Sequence, residues 1–416
     1  MKVDKLLKHN SEAKIAALLN KGVKIPSPAS IEIGNEVDIN RISGDGVVIH
    51  SGCKIFGADT LILAGAKLGY EAPVTVDNCQ VGPEVELKGG YVNRSVFLDK
   101  AKLGMGAHVR EATILEELAS IAHTVALKHT ILFPFVTLGS LINFCDCLMA
   151  GGTSRKNHSE VGSSYIHFNF TPSKDKATAS LIGDVPRGVM LNQKPIFLGG
   201  QGGLVGPCRL GYGITAAAGT IVRKDELRSD RLLLAGAGKG GSLAFTPGIF
   251  RNDPRIIANN LIYIGNLIAL KQWYAQVRSL FVSKSFPQTL LQGLQEKVDL
   301  AVEERINRLE AVILNEPEKD HTDNLSDSLK QRFLLYKRWP EMKESLAAKK
   351  CPGCKDELMD KFLASVLNGI AKSGKDYLKV IQRLDPADAE RGTQWLQAIV
   401  DDSLVEVRKI IPSFFK

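Results

Sequence analysis

The segments KLGMGAHV (residues 102–109) and RLGYGITAAAGTIV (residues 209–222) carry the architectural signal of this chain. In each, an aliphatic residue is followed at once by Gly, two variable residues intervene, and a small or apolar residue and one further position complete a six-residue unit. The unit recurs in IEIGNEVDI (residues 31–39), KLGYEAPVTV (67–76), QVGPEVEL (80–87), VTLGS (136–140), EVGSS (160–164) and LIGDVP (181–186). This period fits neither the repeat of an amphipathic helix nor the alternation of a hairpin. Sustained from about Val23 to Asp225, it implies a solenoid whose rungs bury their aliphatic position only by stacking on one another. Three such hexads close one triangular coil of a β-helix. A β-sandwich of short strands with Gly turns is the alternative, but it should alternate apolar and polar residues between turns. Small-residue runs such as ITAAAGTIV suit a tight coil corner.

The flanks read differently. Val3 to Leu19 has helical spacing, and a Gly-rich stretch, LLLAGAGKGGSLAFTPG (residues 232–248), follows the repeats. From Asp253 onward apolar residues return to helical spacing, as in Leu290, Leu294, Val298, Val302, Ile306, Leu309 and Ile313. Breaks at residues 315–324, 349–354 and 384–388 divide this region into five or six helices. Such an appendage could cap the solenoid or drive association. The expected organisation is an N-terminal helix (1–22), a β-helix (23–250) and an α-helical domain (251–416).

Composition narrows the function classes. With 44% hydrophobic and 24% charged residues over 416 positions, disorder and collagen-like composition are excluded. Seven scattered cysteines and an N-terminus lacking the apolar run of a signal peptide suggest reduced thiols in the cytoplasm. The most apolar stretch, Ile256 to Leu270, contains three Asn and is short for a bilayer, so it reads as a buried helix and no membrane partner is expected. Lys plus Arg number 53 against 45 Asp plus Glu, a net charge of +8 that favours anionic partners. No basic run or basic residues interleaved with aromatics accompany it, so phosphorylated small molecules fit better than nucleic acid.

The hexad array resembles the left-handed parallel β-helix of the hexapeptide acyltransferases. More narrowly, it is similar to the C-terminal half of the bacterial bifunctional N-acetylglucosamine-1-phosphate uridylyltransferase / glucosamine-1-phosphate acetyltransferase family. LLNKGVKIPSPASIEIGNEVDI (residues 18–39) resembles that family's passage from a linker helix into its first coil. VALKHTILFPFVTLGS (residues 125–140) lies without gaps on its sugar-site segment, and ASLIGDV with RLGYGITAAAGTIVRKD matches its last coils. Nothing resembles the family's uridylyltransferase half: LLLAGAGKGGS superficially matches its Gly-rich turn, but the chain beyond that stretch is helical, and a linker is the simpler reading.

By that resemblance Lys128 keeps a lysine that helps hold the sugar phosphate, Asn169 keeps an active-site asparagine, and Lys174 or Lys176 stands for another substrate lysine. Gly200, Ala217 and Ala218 match small positions along which the arm of an acyl-CoA cosubstrate lies. The resemblance also implies a homotrimer, with sites between adjacent β-helices. Phe170, beside Asn169, stands in place of the family's tyrosine, and three further positions depart from the pattern. The family's catalytic histidine falls on Ser140, a sugar-site tyrosine on Asn143 and an asparagine on Glu160. Serine cannot accept a proton near neutral pH without a base beside it. Two readings are open: a CoA-dependent acyltransferase on a sugar phosphate or nucleotide sugar, with a substitute base, or a non-catalytic nucleotide-sugar-binding or scaffold protein.

Among His129, His158 and His167, the substitute base is assigned to His167, two residues before Asn169 and so on the same side of a strand; a structural histidine is the alternative. Arg155, Lys156 and His158 form a cationic loop in an apparent insertion, suited to phosphate or to plain solvation. A second insertion, Pro186 to Pro195, carries Arg187 and Lys194, and both could fold over one site. Cys351 and Cys354 make a CPGC knuckle, but no second ligand pair accompanies it and no metal is expected. Cys145 and Cys147 read as packing residues.

Overall fold

A computed structural model describes residues 2–169, 176–234, 254–314, 327–347 and 356–415. The repeats form a left-handed parallel β-helix with three faces. In chain order, face A is a ten-stranded sheet from Glu32–Ile33 to Ile221–Val222, face B an eight-stranded sheet from Leu61–Ile62 to Arg209–Leu210, and face C a ten-stranded sheet from Val48–Ile49 to Leu232–Leu233. All neighbouring strands within these faces are parallel and in register, so each residue stacks on its counterpart one coil away; Lys102, Ser120 and Thr137 make one such row. On face A the inner row runs through Val76, Val92, Val109 and Leu127 to Phe144. Each of these side chains is at most 1% exposed, and burying each contributes about 1.5–3 kcal/mol. A lone rung could not bury them.

At many corners the chain turns through a left-handed residue, often one other than Gly. Thr124, Leu141, Ser164 and Gln201 stack at the corner between faces C and A with φ of 57, 59, 61 and 53°. Each costs about 1–2 kcal/mol in that conformation. Backbone bonds between coils offset the cost: Leu141 N–H donates to His123 O, Ser164 N–H to Ser140 O and Gln201 N–H to Ser163 O, at 2.8–3.1 Å.

The N-terminal helix α1 (Lys2–Asn20) closes the lower end of the β-helix. Lys14 Nζ donates to the carbonyls of Gly34, Asn35 and Val37 at 2.7–2.9 Å, and Leu18 is fully buried. A second short helix, α2 (Val185–Gly188), lies between faces B and C. Among the described residues six more come after it: α3 (Pro254–Gln272), α4 (Gln288–Ile313), α5 (Asp327–Ala347), α6 (Asp356–Ser373), α7 (Tyr377–Gln382) and α8 (Pro386–Ile410). The helix α3 packs on α4 and α8, α8 on α6, and α4 on α5.

These helices do not cap an end of the solenoid; they cover face B. On faces A and C strand residues largely alternate between exposed and buried, whereas Ser95–Phe97, Thr113–Leu115, Cys147–Met149 and Ser180–Ile182 on face B are buried throughout. Runs such as TIL (113–115) and CLM (147–149) are therefore buried on both sides, as strands covered on both faces are. Helix α4 lies along the solenoid axis. Gly293 abuts Gln80 and Arg305 reaches Asp146, four coils further on. The rise over those twelve residues is about 18 Å, against about 19 Å for four strand spacings.

The three asparagines of α3 are docking groups. Asn259 donates to Asp225, Asn260 to the Ala177 carbonyl, and Asn266 Oδ1 accepts the Val185 N–H at 2.9 Å. Buried charges complete the interface. Arg278 pairs with Glu117 and lies 3.7 Å from the Tyr377 ring centroid, Tyr274 donates to Glu116, and Arg305 meets Asp146 at 2.8 Å. Burial, then the neighbouring Glu117, push the Glu116 carboxyl up to about 7. Asp146 goes the other way: burial opposes its charge, but Arg305 and His129 hold its carboxyl below the usual value.

Both insertions leave the corner between faces B and C, and they pack on each other through Gly152 N–H to Gln193 O at 3.0 Å. The first forms the hairpin Gly152–Ser154/Asn157–His158, and the second contains α2. They also meet the helices: α2 packs on α3 and α8, and Gln382 reaches Thr153 O at 2.6 Å. The CPGC knuckle and most of the Gly-rich stretch lie outside the described residues.

Candidate functional site

Face A gathers the polar side chains from which a site can be built. Its outward positions nearest the C–A corner include His108, Ala126 and Asn143 on successive coils, and those nearest the A–B corner include Arg110, Lys128 and Cys145. Lys128 pairs with Glu111 at 2.8 Å, and Arg110 Nε is buried without a hydrogen-bond partner. Burial and Asp146 push the Cys145 thiol up, while Arg110 and Lys128 oppose the shift. Two cations thus border one side of face A. Asn143 is exposed at the start of its strand, and Asn169 is half-buried one residue past Phe168, which stacks above Cys145.

At the opposite edge, the C–A corner carries the column His123, Ser140, Ser163, Gly200 and Ala218, each one coil above the last. Ser140 Oγ lies 2.8 Å from Nδ1 of the exposed His123, and Ser163 Oγ accepts the Ser140 N–H at 3.1 Å. The serine in the histidine's place therefore has an imidazole beside it. Gly200, Ala217 and Ala218 continue this corner upward. Close coil stacking demands small residues there, because a Cβ on Gly199 would come 2.4 Å from Ala218 N.

The other expected residues lie elsewhere. His167 belongs to the interior: its ring is 1% exposed, Nδ1 is 2.6 Å from Cys145 O, and Nε2 is 2.9 Å from Ser180 Oγ. It occupies the inner row with Phe144 and Leu204, while Ile166 and Phe168 on either side point outward. Burial lowers its pKa to about 4. Buried and with both ring nitrogens engaged, it is a structural histidine in this arrangement, on the opposite side of its strand from the open face. Glu160 lies on the outer row of face C beside Thr137 and Phe197. Arg155 spans the B–C corner, donating to Leu118 O, Phe135 O and Thr137 Oγ1 at 2.8–3.1 Å, with Lys156 exposed beside it. Neither faces the Ser140 corner. Lys176 is exposed in the segment leading to face B, where its carbonyl accepts from Arg305, and Lys174 lies outside the described residues.

Two residues of this site are absent from the sequence reading, His123 and Arg110. Each sits one coil below a residue that was singled out, seventeen before Ser140 and eighteen before Lys128. Coil length was the signal that could have found them. Among the described residues no group of three or more His, Cys, Asp or Glu is placed to hold a metal ion, and no helix is long and apolar enough to cross a membrane.

Comparison with curated proteins agrees with the coil pattern. The chain is 27% identical over 213 residues to the Bifunctional protein GlmU of Thermotoga petrophila, covering 51% of this chain and 42% of that protein. The same-named protein of Pelobacter propionicus is 29% identical over 210 residues (50% and 40%), and that of Staphylococcus haemolyticus 26% over 239 residues (56% and 47%). The chain spans under half the length of these relatives. No protein-family model matches it.

Proposed function

We propose that this chain is a CoA-dependent acyltransferase that modifies the amine of a sugar phosphate or nucleotide sugar, chemistry of the UDP-N-acetylglucosamine pathway. The observation that carries the reading is the composition of face A: a paired serine and imidazole at one edge and two adjacent cations, Arg110 and Lys128, at the other. A phosphorylated sugar laid across the face would set its phosphate on the cations, with Lys128 exchanging Glu111 for phosphate, and its amine toward Ser140. Asn143 and Asn169 would orient the acceptor, and Lys174 or Lys176 would add positive charge. The acyl-CoA arm would run along Gly200, Ala217 and Ala218 down the corner to Ser140, where backbone amides are available to the oxyanion. The resemblance over half the chain to proteins named GlmU supports the donor and acceptor classes.

We infer three copies in the assembly, meeting through faces A and C because face B is covered. Ile166, Phe168 and Ile221, each 37–43% exposed, give the upper coils of face A an apolar outer surface suited to such contact. Five buried free cysteines among the described residues suit a reducing cytoplasm.

The test is a thermal-shift titration with acetyl-CoA, CoA, UDP-N-acetylglucosamine and glucosamine-1-phosphate, followed by a thiol-release assay with acetyl-CoA and glucosamine-1-phosphate. A ligand that prefers the native state at a hundredfold its Kd adds about 2.7 kcal/mol of stability. Stabilisation by the CoA thioester with thiol release supports the transferase. Stabilisation by the sugar nucleotide alone, or by no ligand, overturns it.

A further inference from the structure

Acylating an amine releases a proton, and an efficient acceptor for it has a pKa near the working pH. Few groups at the C–A corner are of a chemical type that can accept the proton. Ser140 and Ser163 are alcohols and Asn143 is an amide. Glu71 is tied to Lys88, which holds its carboxyl below the usual range. His108, the other imidazole on this part of face A, stacks on Tyr91 at 5.3 Å, two coils below Asn143. His123 remains, with Nδ1 2.8 Å from Ser140 Oγ.

We propose that His123 is the general base of this site and acts through the Ser140 hydroxyl, so that the base comes from the coil below the serine. This deepens the acyl-transfer reading and rests on it. In the step, the acceptor amine bonds to the thioester carbonyl carbon, the amine proton passes to Ser140 Oγ, and the hydroxyl proton passes to His123 Nδ1. The C–S bond then breaks, and the departing CoA thiolate takes the imidazolium proton back through Ser140 or water. Oγ must donate to Nδ1, which requires the tautomer with its proton on Nε2. The serine is the spacer this geometry needs. Neighbouring coils are about 4.8 Å apart, so an imidazole rooted one coil below reaches an amine beside Ser140 by way of one intervening hydroxyl.

The experiment uses the full chain with acetyl-CoA and glucosamine-1-phosphate, measuring thiol release against pH and the thermal shift given by CoA, for wild type, His123→Gln and Ser140→His. The expected result is a wild type that turns over and a His123→Gln variant about 100-fold or more slower, with the acid limb of its pH profile lost and the CoA shift unchanged. If wild type is active and His123→Gln keeps its rate or its acid limb, the base lies elsewhere and only this inference falls. If wild type is silent and Ser140→His is active, the site is competent for acyl transfer and His123 is not its base. If both are silent while folded, the acyl-transfer reading fails and takes this inference with it.

Discussion

Glu116 offers a test of how the helices are held to the solenoid. It is 2% exposed, accepts a hydrogen bond from Tyr274, and lies within the influence of Arg278, which pairs with Glu117 and sits 3.7 Å from the Tyr377 ring centroid. Burial, then the neighbouring Glu117, leave a proton on Glu116 up to about pH 7, against its usual 4.5. Proton counting gives the sign. Between these values the folded chain binds more protons than the unfolded one, so Glu116's contribution is fully present below pH 4.5 and is lost as pH rises through about 7. The loss amounts to about 3 kcal/mol, the difference between the two pKa values at 1.36 kcal/mol per unit. Glu116→Gln reproduces the protonated shape and still accepts from Tyr274. It should match wild type near pH 4.5 and exceed it by about 3 kcal/mol at pH 8. Urea titrations at several pH values, read by the buried Trp273, Trp339 and Trp395, would measure the difference. A variant that parallels wild type at every pH, or is the weaker at pH 8, would show that Glu116 is ionised in the folded chain and this account wrong.

Three other changes probe separate parts of the structure. Arg305→Met removes the cation that meets Asp146 in a setting where both side chains are at most 6% exposed, and should cost about 3–5 kcal/mol in a denaturant titration; a cost below 1 kcal/mol would contradict the pairing. His167→Ala should lower stability by about 2–4 kcal/mol, through lost packing and the unmet Cys145 carbonyl. Any activity it loses should track the folded fraction, so a slow but fully stable variant would return His167 to the chemistry. Gly199→Ala should destabilise by about 1–3 kcal/mol because the added carbon meets the backbone of the next coil. Gly219→Ala, which meets nothing within 4 Å, should cost only the strain of its φ of +74°, so melting temperatures should separate the two.

The solenoid was legible because its period is written in the residues that stack: an aliphatic residue and a Gly at each hexad leave few other folds. The helical region was legible for the same kind of reason, from the spacing of residues such as Leu294, Val298 and Ile306. Spacing alone did not reveal phase. In Ile166-His167-Phe168 the two apolar residues face outward and the histidine inward, the reverse of the usual strand, because Cys145 O and Ser180 supply the ring with partners. Nor does spacing show which face the helices cover. That depends on Glu116, Glu117 and Asp146, whose partners on the helical region lie more than 150 residues away in the chain. The pairing of Ser140 with His123 was within reach: in a stack, the neighbour to examine is one coil away rather than two residues away.

The position of α4 bears on how the molecule comes apart. A bare stack of coils touches only its nearest neighbours, so its ends can peel away rung by rung. Here a single rod is packed against Gln80's coil and ion-paired at Asp146's, four rungs higher, and none of the rungs between can leave while the rod stays. The chain should therefore melt as one body over that span. Prising the helices from face B would turn a single sharp transition into gradual unzipping, beginning at the coils α4 does not reach.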